Sequence, residues 1–211
     1  MAASERSWFD CEAGDFRNRI VIYGFGDLGR KVLWGLRKLG IEPLGILDSR
    51  LALKTAVVEK LPCVSLQEGA ERWSNNAVFV VSVFNQSGER AFTEIRRELQ
   101  AHGAKRVVYF LPLFWKYAEV FLPYYSLELP SNAVAQVNQI QQAFDVLVDD
   151  RSQRDFAFFV EAITSPAPER TQPAIDPEWT YFPEDIIQLS DHEVFVDCGA
   201  FQGDNLKKFY S

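Results

Sequence analysis

The sequence predicts an α/β protein: a Rossmann-like parallel-sheet domain, then a helical and aromatic connector, then the opening strand of a second α/β unit. Three observations carry this. Short apolar runs alternate with amphipathic helical segments from residue 20 to about residue 110, the pattern of a doubly wound parallel sheet. A glycine motif, Gly24-Phe25-Gly26-Asp27-Leu28-Gly29, stands between one such run and the helix after it. Near the other end, Val194-Phe195-Val196-Asp197 followed by Gly199 and Gly203 repeats the logic of strand, turn and helix.

The elements follow in order. Residues 1–19 are mixed and polar and read as a loosely held leader. Ile20-Val21-Ile22-Tyr23 is a buried strand that stops at Gly24. Leu28, Val32, Leu33, Leu36 and Leu39 then recur at helical spacing, with Arg30, Lys31, Arg37 and Lys38 on the wet face and Gly40 as the stop. Pro43–Leu47 is extended and ends at Asp48, Pro62-Cys63-Val64 is a minor strand, and Ala77–Val83 is a strand apolar enough to be covered on both faces. Phe92, Ile95 and Leu99 mark a helix ending near Gly103, and Arg106–Phe110 is a further strand. The Rossmann-like domain is thus expected over residues 20–125, a connector over 126–192 and the second unit over 193–211.

The character of the chain changes from Tyr109 onward. Eight aromatics fall between Tyr109 and Tyr125, a density that suggests an interface with another domain or a second copy, since exposing it would make an adhesive patch. Ala133, Val137, Ile140, Phe144 and Leu147 predict a helix opened by Pro130-Ser131, and Phe156, Phe159, Val160 and Ile163 predict another. The Pro-rich stretch Ser165–Pro177 reads as a loop.

Composition bounds the function. The net charge of −7 argues against a general nucleic-acid binder. Cys11, Cys63 and Cys198 are too few and too scattered for a disulfide framework, which favours a reducing compartment. His102 and His192 stand alone, so no metal site is expected. The first eight residues hold no apolar core of signal-peptide length, and the longest apolar runs, such as Val107–Trp115, are about half a membrane span. The expectation is a soluble cytoplasmic protein that does not enter membranes.

The first glycine motif has the context that nucleotide binding requires, a strand before it and a helix after. Gly24 would make the tight turn, Gly26 would let a phosphate approach the backbone, and Gly29 would let helix and strand pack closely. The helix N-terminus would add about half a positive charge. Asp48, nineteen residues past Gly29, ends the next strand where a carboxylate can take a ribose hydroxyl pair. Asp27 would repel an anion unless its side chain turns away. A nucleotide or nucleotide-sugar is therefore one reading, and glycines serving only turn and packing are the other. Dehydrogenase chemistry is disfavoured, because neither lone histidine has an evident acidic partner.

In the second motif, Asp197 ends the apolar run and Gly199 and Gly203 frame the turn into a helix begun by Leu206 and Phe209. Bare backbone at such glycines leaves room for a ligand. Val196-Asp197-Cys198-Gly199-Ala200-Phe201-Gln202-Gly203-Asp204 resembles the first S-adenosylmethionine motif of the FkbM-type methyltransferases. Phe110–Tyr117, Phe121–Tyr125, Tyr181-Phe182-Pro183 and the opening Ile22–Gly29 are similar to the N-terminal accessory region of some members, so the resemblance spans most of residues 20–209. It implies an S-adenosylmethionine-dependent methyltransferase of class I fold, commonly acting on hydroxyl groups of sugars or natural products, with a small-molecule acceptor. Asp197, Gly199, Ala200, Gly203 and Asp204 would then line the cofactor, while Asn205 stands where the family often has a hydroxyl residue. The family's catalytic and acceptor-binding residues find no positions in the eight residues after Gly203. The expectation is an incomplete methyltransferase domain cut after its first strand, inactive as this chain alone.

Overall fold

The computed structural model describes residues 4–83, 91–167, 182, 187–190, 192–200 and 203–210. The chain divides into two compact units, Met1–Gln172 and Pro173–Ser211. The first is built on six strands in the order β3-β4-β2-β1-β5-β6, and eleven α-helices, α1 to α11, with two 3-10 turns at Glu5–Ser7 and Gly14–Phe16, lie along the described chain.

Contrary to a loose leader, α1 (Trp8–Ala13) is packed: Phe9 and Ala13, one helical turn apart, are fully buried. Trp8 meets the Trp115 ring at 5.4 Å, Lys116 pairs with Asp10, and the Arg106 guanidinium donates to the Glu12 carbonyl. β1 (Ile20–Tyr23) leads into α2 (Asp27–Lys38), whose apolar stripe of Leu28, Val32, Leu33 and Leu36 is buried. β2 (Gly45–Leu47) runs parallel to β1 with Tyr23 beside Leu47, and a single turn, α3 (Ser49–Ala52), follows. β3 (Val57–Val58) and β4 (Leu61–Val64) form an antiparallel hairpin, the one antiparallel pairing in the sheet. α4 (Leu66–Trp73), β5 (Val78–Val81), α5 (Phe92–Ala101) and β6 (Arg106–Tyr109) complete the winding. β5 pairs parallel with both β1 and β6 and is buried along its whole length, which explains its unbroken apolar sequence. From β1 the chain proceeds to β2 and β4 on one side and returns to β5 on the other. A crevice therefore opens at the carboxyl ends of β1 and β5.

The aromatic segment is core rather than exposed interface. α6 (Phe110–Lys116) and α7 (Ala118–Phe121) bury Phe110, Phe114, Trp115 and Phe121 completely or nearly so, and Tyr109 is buried at the end of β6. Phe114 stacks on Phe121 at 4.4 Å, and the Trp115 indole donates to the Glu128 carbonyl at 3.0 Å. Of the eight rings only Tyr125 is largely exposed, at 90%. The domain's own helices α1 and α2 take up the surface that the sequence assigned to a partner. Pro112 falls in the first turn of α6, where its missing N–H costs nothing.

The helix expected after Pro130 is two: α8 (Pro130–Ala135) and α9 (Val137–Asp145), separated at Gln136. α10 (Asp150–Thr164) begins at the Asp149 side chain, which accepts from the Ser152 N–H. No residue of these three helices is buried.

In the second unit, α11 (Asp204–Phe209) is the regular element among the described residues. Residues 193–197, expected as a strand, pair with no described strand, and Val194 and Val196 are 88% and 74% exposed. A strand exists only as part of a ladder, and apolar sequence alone does not supply its neighbours. Phe195 does pack, against Phe182 at 5.3 Å and Phe209 at 5.1 Å.

Candidate functional site

The first glycine turn is fixed from three strands. Gly24 has φ +82°, and a β-carbon there would lie 2.6 Å from the Val83 side chain, so glycine is required twice over. Its N–H donates to the Leu47 carbonyl at the end of β2. The Ser82 hydroxyl, just past β5, lies 2.9 Å from the Tyr23 carbonyl and 2.8 Å from the Gly24 carbonyl, and its backbone N–H donates to Tyr23 as well. A β-carbon on Gly29 would collide with the Gly24 carbonyl oxygen, so this glycine lets α2 lie against the turn. Gly26 differs from both. No described residue beyond its chain neighbours lies within 4 Å of where its β-carbon would be, and it is exposed.

Above the turn lies a cleft of about 640 Å³ over the ends of β1, β2 and β5, within the size range of small-molecule sites. Gly24, Phe25 and Gly26 form one wall, Asp48, Ser49 and Arg50 another, and Ser82, Val83 and Ile95 a third. Asp48 stands at the end of β2 as expected, but its carboxylate is already engaged. Oδ2 accepts from the Phe25 N–H at 3.0 Å, while Oδ1 accepts from Arg50 N–H at 3.1 Å and Leu51 N–H at 3.0 Å. Asp48 thus caps α3 and ties it to the glycine turn. Asp27 is exposed on the first residue of α2 and lines the cleft. Its charge reaches Tyr124, whose phenol is pushed up first by burial and then by Tyr125 and Asp27. Ser82, Ser49 and Arg50 escaped the sequence reading. The signal for Ser82 was a lone hydroxyl closing an apolar strand; Arg50 lay two residues beyond a strand-ending aspartate.

The second turn is built differently. Asp197 Oδ1 accepts from the Gly199 N–H at 2.9 Å, whereas Oδ2 is buried without a hydrogen-bond partner among the described residues. No described residue other than the chain neighbours comes within 4 Å of a β-carbon on Gly199 or Gly203, and Gly203, at φ +73°, precedes α11. Ala200 is exposed, its carbonyl accepts from Gly203 N–H, and Asn205 is buried. Asp204 begins α11; Phe201 and Gln202 lie outside the described residues. An orphaned carboxylate oxygen beside open glycines fits a ligand with an ammonium group, which methionine-derived cofactors carry.

Fold and turns together define a Rossmann-like α/β protein with a cleft at its strand-order reversal. No family model matches the chain, and no curated protein matches it in sequence. Among solved structures it is similar to the methyltransferase FkbM from Methylobacillus flagellatus KT, with a TM-score of 0.64 at 18% identity, over 97% of this chain and 54% of that one. The chain spans about half the length of that neighbour. The likeness extends the motif resemblance to the fold.

Proposed function

We propose that the protein is a member or fragment of an S-adenosylmethionine-dependent methyltransferase, with a hydroxyl group of a sugar or natural product as acceptor. The observation that carries this is the buried Oδ2 of Asp197, without a hydrogen-bond partner among the described residues, beside Gly199 and Gly203, which stand open among those residues. The fold likeness to a protein described as a methyltransferase supports it. The cofactor would supply the electrophilic methyl group. The residues of this chain would contribute position: Asp197 would hold the methionine ammonium, and the bare glycines and Ala200 would admit the cofactor to the backbone. Titration calorimetry with S-adenosylmethionine tests this. Heat of binding that is lost in Asp197→Ala and kept in Gly26→Val supports the reading. No heat from the wild-type protein at ~1 mM cofactor, the weakest range worth calling a site, overturns it.

A second reading concerns the cleft of the first unit, which we assign to a nucleotide or nucleotide-sugar. It is favoured by the open edge at Gly26, a glycine that no packing among the described residues demands, in the wall of the cleft. Its test is thermal protection by nucleotides that disappears in Gly26→Val. Unchanged melting with and without the nucleotides would sink it.

A further inference from the structure

We infer that the nucleotide taken by the cleft carries a phosphate monoester on its ribose, read by Arg50; this rests on the nucleotide reading of the cleft given above. The argument is a count of acceptor sites. A carboxylate offers about four lone-pair sites. Asp48 has three filled by its own backbone: two on Oδ1 by Arg50 and Leu51, and one on Oδ2 by Phe25. One acceptor position remains. An unmodified ribose presents two neighbouring hydroxyls, and a carboxylate with one open acceptor position holds one of them and leaves the other to a different group. Asp48 can take one. These backbone bonds are also not free to yield, because they cap α3 and hold Phe25, which is buried.

The cation is placed for the other ribose position. Arg50 is the one positively charged residue lining the cleft among those described, its side chain is exposed, and no ion pair engages it. It follows Asp48 by two residues, so it stands at the same strand end, and Ser49 between them brings a hydroxyl to the same wall. A planar guanidinium suits a phosphate monoester through paired N–H donors, whereas a neutral diol gives it nothing to pair with. Asp27 lines the same cleft from the first residue of α2. The ligand chemistry that satisfies all of this has one free ribose hydroxyl for Asp48 Oδ2 and one phosphate for Arg50. Nucleotides phosphorylated at the 2′ or the 3′ position share it.

The experiment is a binding titration at fixed ionic strength, since phosphate contacts weaken with salt. NADP+ is compared with NAD+, and 3′-phosphoadenosine 5′-phosphate with AMP. The expected result is at least ~10-fold tighter binding of the phosphorylated member of one pair, about the strength of one charge-assisted pair. The pair that shows it identifies the 2′ or the 3′ source. Arg50→Ala should bring that pair to within about twofold, and Arg50→Lys should keep only part of the preference. Because the Arg50 side chain is exposed, the ligand-free melting temperature reports that the variants fold. Equal affinity within both pairs, or a preference that survives Arg50→Ala, overturns the inference and leaves the cleft as a nucleotide site. Failure of all four to bind the folded wild-type protein overturns both.

Discussion

The molecule contains two glycine turns of similar sequence logic in unlike surroundings. The turn at residues 24–29 sits on a six-stranded sheet: Gly24 bonds to β2, Ser82 reaches across from β5, and Gly29 has no room for a methyl group. In the turn at residues 197–203 both described glycines stand open, the preceding residues join no described ladder, and an aspartate oxygen lacks a partner. The contrast separates two jobs that one motif can combine. A glycine required by packing holds the fold, whereas a glycine with open space around it is available to a ligand. The first turn has both kinds, the second only the latter.

The largest test of this contrast is Gly29→Val. The new side chain meets the Gly24 carbonyl, a backbone atom that cannot move without displacing β1, so a loss of ~4 kcal/mol or more is expected in urea denaturation. The β-carbon of the matched Gly203→Val comes within 4 Å of no described residue beyond its chain neighbours; the change opposes a positive φ and should cost ~1–2 kcal/mol locally. Equal losses would break the comparison. Next in size is Ser82→Ala, which removes the hydroxyl shared by the Tyr23 and Gly24 carbonyls and should cost ~1–2 kcal/mol. The cysteines give a smaller, chemical contrast. Cys198, in the second turn, is exposed, while Cys63 on β4 is buried, its thiol pushed up by burial and then by Asp48. Iodoacetamide near pH 8 should alkylate Cys198 in the folded protein and Cys63 only after denaturation, as mass spectrometry of the peptides would read. Early labelling of Cys63 would mean the sheet edge opens.

The sequence made the first turn legible because everything that defines it is local. A four-residue apolar strand, three spaced glycines and a helical stripe lie within twenty residues, and β1 and α2 appear where that pattern puts them. Features set by distant partners were not legible. The β3–β4 hairpin turns at Glu59 and Lys60, both at positive φ, without the glycine or asparagine that usually marks such a turn. The aromatic density of residues 109–125 announced burial, yet composition says nothing about whose surface does the burying. Here α1 does much of it, through a six-residue helix too short to show a period. Strand character at residues 193–197 was read from apolar side chains, but pairing is a property of two segments. At the candidate site, Asp48 was found by its place after a strand. That three backbone N–H groups had already claimed its carboxylate could be seen only in three dimensions.

The smallest stability effect is the most discriminating one for function. Gly26 and Gly199 are the two glycines at the candidate sites with neither a positive φ nor a neighbour in the way of a β-carbon. Alanine at either position should therefore shift unfolding by no more than ~0.5 kcal/mol, because restricting the unfolded chain opposes the slight loss of an N-terminal glycine cap at Gly26. If these positions serve ligands, each substitution should act on its own ligand alone. Gly26→Ala would weaken nucleotide binding and leave S-adenosylmethionine untouched, and Gly199→Ala would do the reverse. The methyl group enters the space a phosphate or cofactor backbone would occupy, so a loss of ~10-fold is expected from contact alone. A pair of variants that fold as well as the wild type and bind both ligands as well would remove the distinction between the turns. The open glycines would then be no more than loops that tolerate any small residue.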